Sequence, residues 1–111
     1  METIKKNSTF KKIYSQGKSS ATQFLVLYWL NNSKEINRFG FSISKKVGKA
    51  VQRNKLRRRL KEILRLEEKK YNIERGFDII LIARQDSPSL SFKKLKVEVT
   101  LLLKKTGLRR N

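Results

Sequence analysis

Apolar residues along this chain switch between two spacings, and the switches mark its elements. Phe10, Ile13 and Tyr14 recur at i, i+3 and i+4, which predicts a short first helix with Ser8 or Thr9 as its cap and Gly17 as its stop. Residues 24–30 alternate instead, with Phe24, Val26, Tyr28 and Leu30 on one face and Leu25, Leu27 and Trp29 on the other. Rich in β-branched and aromatic residues, that run predicts a strand, and Trp29, facing away from Tyr28, is expected to pack a helix. Asn31-Asn32-Ser33 predicts a hairpin-type turn into a second strand over residues 38–44. Helical spacing returns at Leu56, Leu60, Ile63 and Leu64 and continues to Lys70. Gly76 closes the connection to a well-buried strand over residues 77–83, and the stretch before it has room for one more short strand. Asp86-Ser87-Pro88 turns the chain into a last helix whose stripe is Phe92, Leu95, Val99, Leu102 and Leu103, ending near Gly107. The order α-β-β-α-β-α predicts an α/β sandwich, helices packed on a small sheet, as one domain over residues 1–111.

Charge changes the picture more than length does. The chain has 28 Lys and Arg against 9 Asp and Glu, a net charge of +19. With 38% hydrophobic residues it has enough to fold, so this charge belongs to a globular surface and is the electrostatic footprint of a nucleic-acid binder. Cys and His are both absent, which removes thiolate nucleophiles, Cys-ligated zinc and the commonest general base. The first ten residues lack an apolar signal core, and no apolar run approaches the roughly 20 residues of a spanning helix. A cytoplasmic protein without a membrane partner is the expectation.

The cations concentrate. Lys45, Lys46, Lys49, Arg53, Lys55, Arg57, Arg58, Arg59 and Lys61 make nine in seventeen residues without an acid among them. At 100° per residue the leucine stripe takes one side, Arg58, Lys61 and Arg65 the other, and Arg57 and Arg59 flank it. A charge run is ordinarily a solvated face, but Glu62 alone interrupts this one before Glu67, so i,i+4 pairing does not balance it. A polyanion does, through counterion release and forked guanidinium–phosphate contacts. Gly48 and Ala50 leave backbone amides near the helix start open to a phosphate. Asn54 has two readings, helix cap or RNA contact.

Residues for protein-borne catalysis are poorly placed. Glu67 and Glu68 are adjacent and point about 100° apart on a helix, while Asp78 and Asp86 read as a surface strand residue and a turn former. Phe10, Tyr14, Phe24 and Tyr28 are either core or a stacking platform for unpaired bases.

Residues 41–61, FSISKKVGKAVQRNKLRRRLK, closely resemble the signature of the bacterial ribonuclease P protein subunit. Arg53-Asn54-Lys55 matches that family's RNR element with lysine in place of its second arginine, which keeps the charge and loses the fork. Lys61 also stands where relatives often carry arginine. The likeness extends to Phe10, Tyr14 and Gly17, to residues 23–28 with Tyr28 in the aromatic cleft position, and to residues 80–84 as the final-strand signature. It implies a fold of the ribosomal-protein-S5-domain-2 type, with a left-handed crossover that composition does not reveal. The implied partners are a catalytic RNA and the 5′ leader of precursor tRNA, cleaved by hydrolysis, with Mg2+ and the chemistry belonging to the RNA. It further implies no catalytic residue in this chain, and it names no metal-ligating residue. The catalytic RNA would meet Lys45, Lys46, Lys49, Arg53, Asn54, Lys55, Arg57, Arg58 and Lys61. The leader would meet Phe10, Tyr14 and Tyr28, with Phe24 left open. Lys5, Lys6, Lys11, Lys12, Arg109 and Arg110 would supply diffuse attraction.

The competing reading is a ribosomal or assembly protein that binds RNA without an enzymic role. A DNA-binding helix is weaker, because a strand rather than a helix precedes the basic segment, unlike a helix-turn-helix.

Overall fold

The computed structural model describes residues 1–71 and 73–109. Its elements are β1 (Glu2–Thr3), α1 (Asn7–Gln16), β2 (Lys18–Ala21), β3 (Leu25–Asn31), β4 (Arg38–Ser42), α2 (Ala50–Lys70), β5 (Phe77–Ala83) and α3 (Phe92–Lys105). The strands form one mixed sheet in the order β1-β4-β5-β3-β2, an α/β sandwich as expected.

The predicted β3–β4 hairpin does not form. β5 lies between the two, antiparallel to β3 and parallel to β4. Ile79, Ile80 and Leu81 are all fully buried, and a strand apolar on both faces gains most in the centre of a sheet. The connection after Asn31 therefore spans the width of β5. It is held by Asn31 Oδ1 and Asn32 Oδ1, which accept from the Ser33 and Lys34 amides at 2.9 and 2.8 Å, and by Ser33 at φ 59°. α2 is the crossover joining the parallel pair β4 and β5.

Two edge strands, β1 and β2, were not legible as strands. β1 has two residues, and β2 (KSSA) carries no apolar alternation. Ile73 also bridges to Arg109, in the stretch with room for a short strand.

The two sheet faces are covered unequally. α2 and α3 close one face over a core of Leu25, Leu27, Phe39, Leu56, Leu60, Ile63, Leu64, Ile79, Leu81, Leu95, Val99, Leu102 and Leu103. Trp29 packs there, as expected. Phe92 opens α3 and is more than a third exposed, so the buried stripe begins at Leu95. Among the described residues the other face has only α1, packed through Ile13 with Ile4, Ile80, Phe10, Tyr28, Leu30 and Ile82.

α1 begins at Asn7 after Lys6, whose side chain makes no cap bond. Ser8 and Thr9 thus lie in its first turn rather than at its cap. Gly17 ends α1, donating its N–H to the Ile13 carbonyl at 2.8 Å. A Cβ there would lie 2.8 Å from the Trp29 carbonyl oxygen, so glycine lets the chain turn directly into β2. Gly40 makes a similar space on β4, where a Cβ would sit 2.8 Å from Cζ of Phe10. Gly40→Ala is therefore expected to push α1 off the sheet and cost about 1–2 kcal/mol, read as a lower urea midpoint; an unchanged midpoint would contradict the close seat of Phe10.

Candidate nucleic-acid interface

Two surfaces follow from this unequal covering. The first begins where β4 ends. Ile43 is buried and Val47 packs against the larger core, and between them Lys45 and Lys46 are held outward in a single 3-10 turn. Gln52 returns to the start of α2, its Oε1 accepting from the Lys49 amide at 3.1 Å. A Cβ on Gly48 would sit 2.2 Å from that oxygen. Gly48 therefore makes room for the Gln52 cap, and that cap already occupies the Lys49 amide.

Along α2 the leucine stripe is buried as predicted. Lys49, Asn54, Lys55, Arg58 and Lys61 are exposed, and Arg53, Arg57 and Arg59 are half-buried at the flanks. Because α2 starts at Ala50, Asn54 sits in its second turn and does not cap it. Its Oδ1 accepts from Arg57 Nη1 at 3.0 Å, presenting amide and guanidinium as one unit. Arg59 turns away from the ridge, lining a small cleft with Gln52, Lys55, Leu56 and Pro88. Arg53 has a buried Nε with no hydrogen-bond partner among the described residues.

Acids do not neutralise this ridge. Among the described residues the ion pairs are Arg38–Asp78, Arg65–Glu62 and Arg109–Glu67. Glu62, the acid that interrupts the run, is taken by Arg65 at 2.7 Å, and hydrogen bonding to that guanidinium holds its carboxyl below the ordinary carboxylate value. Glu2, Glu35 and Glu68 instead surround a shallow pocket with Met1, Asn37 and Arg75. Glu68 lies about 27 Å along α2 from Ala50 at 1.5 Å per residue, and packing in this pocket pushes its carboxyl up. The last nine residues of α2 set Glu62, Glu67 and Glu68 against Arg65, Lys69 and Lys70. The unbalanced positive charge therefore lies at the other end of the helix, and this asymmetry orients the molecule as it approaches a polyanion.

The second surface is the face that α1 half covers. Sheet register sets its rows: Arg38–Asp78–Leu30, then Gly40–Ile80–Tyr28–Ser19, then Ser42–Ile82–Val26–Ala21. α1 lies over the first row, where Ser8, Thr9, Lys12 and Ile13 join Leu30, Arg38 and Asp78 around one pocket. In the second row Phe10 packs over Gly40, and its ring lies 6.2 Å from Tyr14. The Tyr14 ring in turn meets Tyr28 edge-on at 5.1 Å. Phe10, Tyr14 and Tyr28 are therefore one aromatic wall, with Tyr14 38% exposed. Ile82 and Val26 in the third row are only half-buried. Ser42 closes that row, and three residues later the basic loop begins at Lys45, so the two surfaces are continuous along the chain.

Phe24 does not belong to the wall. It precedes β3, where Thr22 Oγ1 accepts from the Phe24 and Leu25 amides at 3.2 Å, and its ring packs on the α2–α3 core. Strand alternation fails at this position because the strand starts one residue later.

Asp78 and Arg109 differ from their sequence reading, and Glu67, for which burial was not foreseen, joins them inside the fold. Asp78 is buried, not on the surface, bonded to Arg38 Nε at 2.8 Å and Nη2 at 2.6 Å and to Asn32 Nδ2 at 2.9 Å. These bonds raise the Arg38 guanidinium above its ordinary value. Glu67 is buried on the leucine stripe and accepts from Thr100 Oγ1. Both its oxygens also meet Arg109 Nη1 at 3.2 Å. Arg109, expected as a diffuse surface charge, is buried and stacked 3.3 Å from the Tyr71 ring centroid. The signal for Glu67 was present in its spacing, three after Leu64 and four after Ile63. Nothing local announces its partner. Arg110 lies outside the described residues.

The sequence profile of the Ribonuclease P family matches residues 1–107. The chain belongs to the ribonuclease P protein family. It is 45% identical over 105 residues to the ribonuclease P protein component of Clostridium kluyveri, covering 95% of this chain and 94% of that one. To that of a Thermoanaerobacter species it is 48% identical over 105 residues, covering 95% and 89%. Among solved structures, the RNase P protein of Staphylococcus aureus superposes with a TM-score of 0.89 at 35% identity, over 97% of each chain. That of Thermotoga maritima gives 0.85 at 30%, covering 95% and 97%. Ribonuclease P membership places the chain in a ribonucleoprotein endoribonuclease of tRNA processing and implies an RNA subunit as its partner. It also favours the enzymic reading over the ribosomal one. No helix among the described residues is long and apolar enough to cross a membrane.

Proposed function

We propose that this chain is the RNA-binding subunit of a cytoplasmic ribonuclease P that removes the 5′ leader of precursor tRNA. The basic ridge of residues 45–61 docks the catalytic RNA, and the wall of Phe10, Tyr14 and Tyr28 holds the single-stranded leader. The observation that carries this reading is the pairing of the two surfaces: cations without acid partners among the described residues run directly into a half-open aromatic face. Base stacking on such a face is tolerant of sequence, which suits leaders of many sequences. Mg2+ belongs with the RNA and supplies the activated water for hydrolysis. This chain's part is to orient leader against RNA and lower the repulsion between two polyanions, which supports metal use. Its more enclosed acids serve other ends, Asp78 and Glu67 being committed to arginines.

The test is cleavage of a precursor tRNA by a bacterial ribonuclease P RNA at low magnesium, with and without the protein. Cleavage at the mature 5′ end only with both components is the expected result. RNA binding without restored cleavage would shift the reading to an assembly protein, and cleavage by the protein alone would overturn the division of labour. Arg58→Ala should weaken binding to the RNA and flatten the slope of log Kd on log salt by about 0.7–0.9. An unchanged slope would remove Arg58 from phosphate contact.

A further inference from the structure

Val51 is the most exposed large apolar side chain described, with 79% of its surface in solvent. It lies in the first turn of α2, diametrically opposite the leucine stripe. At 100° per residue Val51, Arg58 and Arg65 fall within about 40° of one another, with Asn54 and Lys55 one turn further on. An apolar, branched head thus stands at the centre of the most cationic surface of the molecule. The core does not use it, and phosphate attraction gains nothing from it. Valine is also a poorer exposed helix residue than alanine, because its χ1 is confined against the preceding turn. The same confinement makes it a stiff contact that loses little entropy when covered.

We infer that Val51 packs against an unstacked nucleotide, base face or ribose, of the RNA that the ridge binds. It would thereby select folded RNA over uniform duplex. An A-form duplex offers a helix face mainly phosphates and 2′-hydroxyls, since its major groove is too narrow to enter, whereas a loop or bulge offers an apolar base plane. The surrounding cations supply affinity for any RNA, and Val51 supplies discrimination. The inference rests on the RNA-docking role proposed for the ridge.

The experiment compares the full-length protein with Val51→Ala and Val51→Thr, the latter keeping shape but adding a hydroxyl. Each is titrated with a bacterial ribonuclease P RNA and with a fully paired RNA duplex of matched length, over a range of salt. Both variants should bind the ribonuclease P RNA about fivefold more weakly, with the salt slope unchanged, and bind the duplex as the wild type does. Because the side chain touches no core, thermal melts should be unaltered. Wild-type affinity in both variants for the ribonuclease P RNA, or equal losses on both RNAs, would overturn the inference. If the wild type itself shows no preference for that RNA over duplex, the docking role falls with it. A wild-type preference that both variants retain defeats this inference alone.

Discussion

Glu67→Ala is expected to destabilise the fold by about 3–5 kcal/mol, because it strands a guanidinium out of water. Glu67 is 1% exposed and Arg109 7%. Both carboxylate oxygens serve Arg109 Nη1, and Thr100 Oγ1 donates to one of them. Removing the carboxylate leaves Arg109 charged between Tyr71 and the α2–α3 seam, with Nε already lacking a hydrogen-bond partner among the described residues, and leaves the Thr100 hydroxyl without its acceptor. The cost comes from the unpaired partner more than from the lost attraction. Replacing both members, Glu67→Leu with Arg109→Leu, should therefore recover most of the loss. Urea unfolding of the two single variants and the double variant measures this. A loss below about 1 kcal/mol for Glu67→Ala would mean that the cluster is not coupled to global stability. The basic ridge is on the same helix, so RNA affinity of Glu67→Ala should be compared where the protein is fully folded.

Tyr28→Ala should abolish most discrimination between leader-bearing and leaderless tRNA while changing affinity for the catalytic RNA little. Tyr28 stands in the second row of the half-covered face, between Ile80 and Ser19, and its ring meets Tyr14 at 5.1 Å. Truncation removes a stacking surface worth about 1–3 kcal/mol per base, roughly tenfold or more in the ratio of the two affinities. Tyr28 also packs on the smaller core, so some loss of stability accompanies the change. Tyr28→Leu separates the effects, since it refills the core without an aromatic face and should still lose discrimination. Tyr28→Ala and Arg58→Ala acting equally in both assays would refute the partition into leader and RNA surfaces.

Legibility differed between the two surfaces for a physical reason. The basic ridge is built from one continuous segment, so spacing alone placed Arg58 and Lys61 outward and Leu56, Leu60, Ile63 and Leu64 inward. Where a neighbouring residue intervened, spacing was insufficient. Asn54 was open between cap and contact until Gln52 proved to hold the helix start. The aromatic wall joins α1 to β3 across the sheet, and only the resemblance to a known family separated Phe10, Tyr14 and Tyr28 from ordinary core. That resemblance left Phe24 undecided, and a one-residue shift in the strand start sent it to the opposite face.

The sequence by itself determined the helices, the three long strands, the cationic ridge and, through the dense motif around Arg53-Asn54, the family. All of these are written in local spacing, because a helix or strand displays its buried face at a fixed period. Tertiary structure alone decided the strand order, the edge strands and the pairing of charges. β5 displaced the predicted hairpin because burying both of its apolar faces outweighs a short connection, and β2 is a strand only because β3 offers it an edge. Asp78 with Arg38 and Glu67 with Arg109 are joined across 40 and 42 residues. No local pattern encodes such distances, since a buried carboxylate requires a cation to meet it but does not fix where along the chain that cation lies.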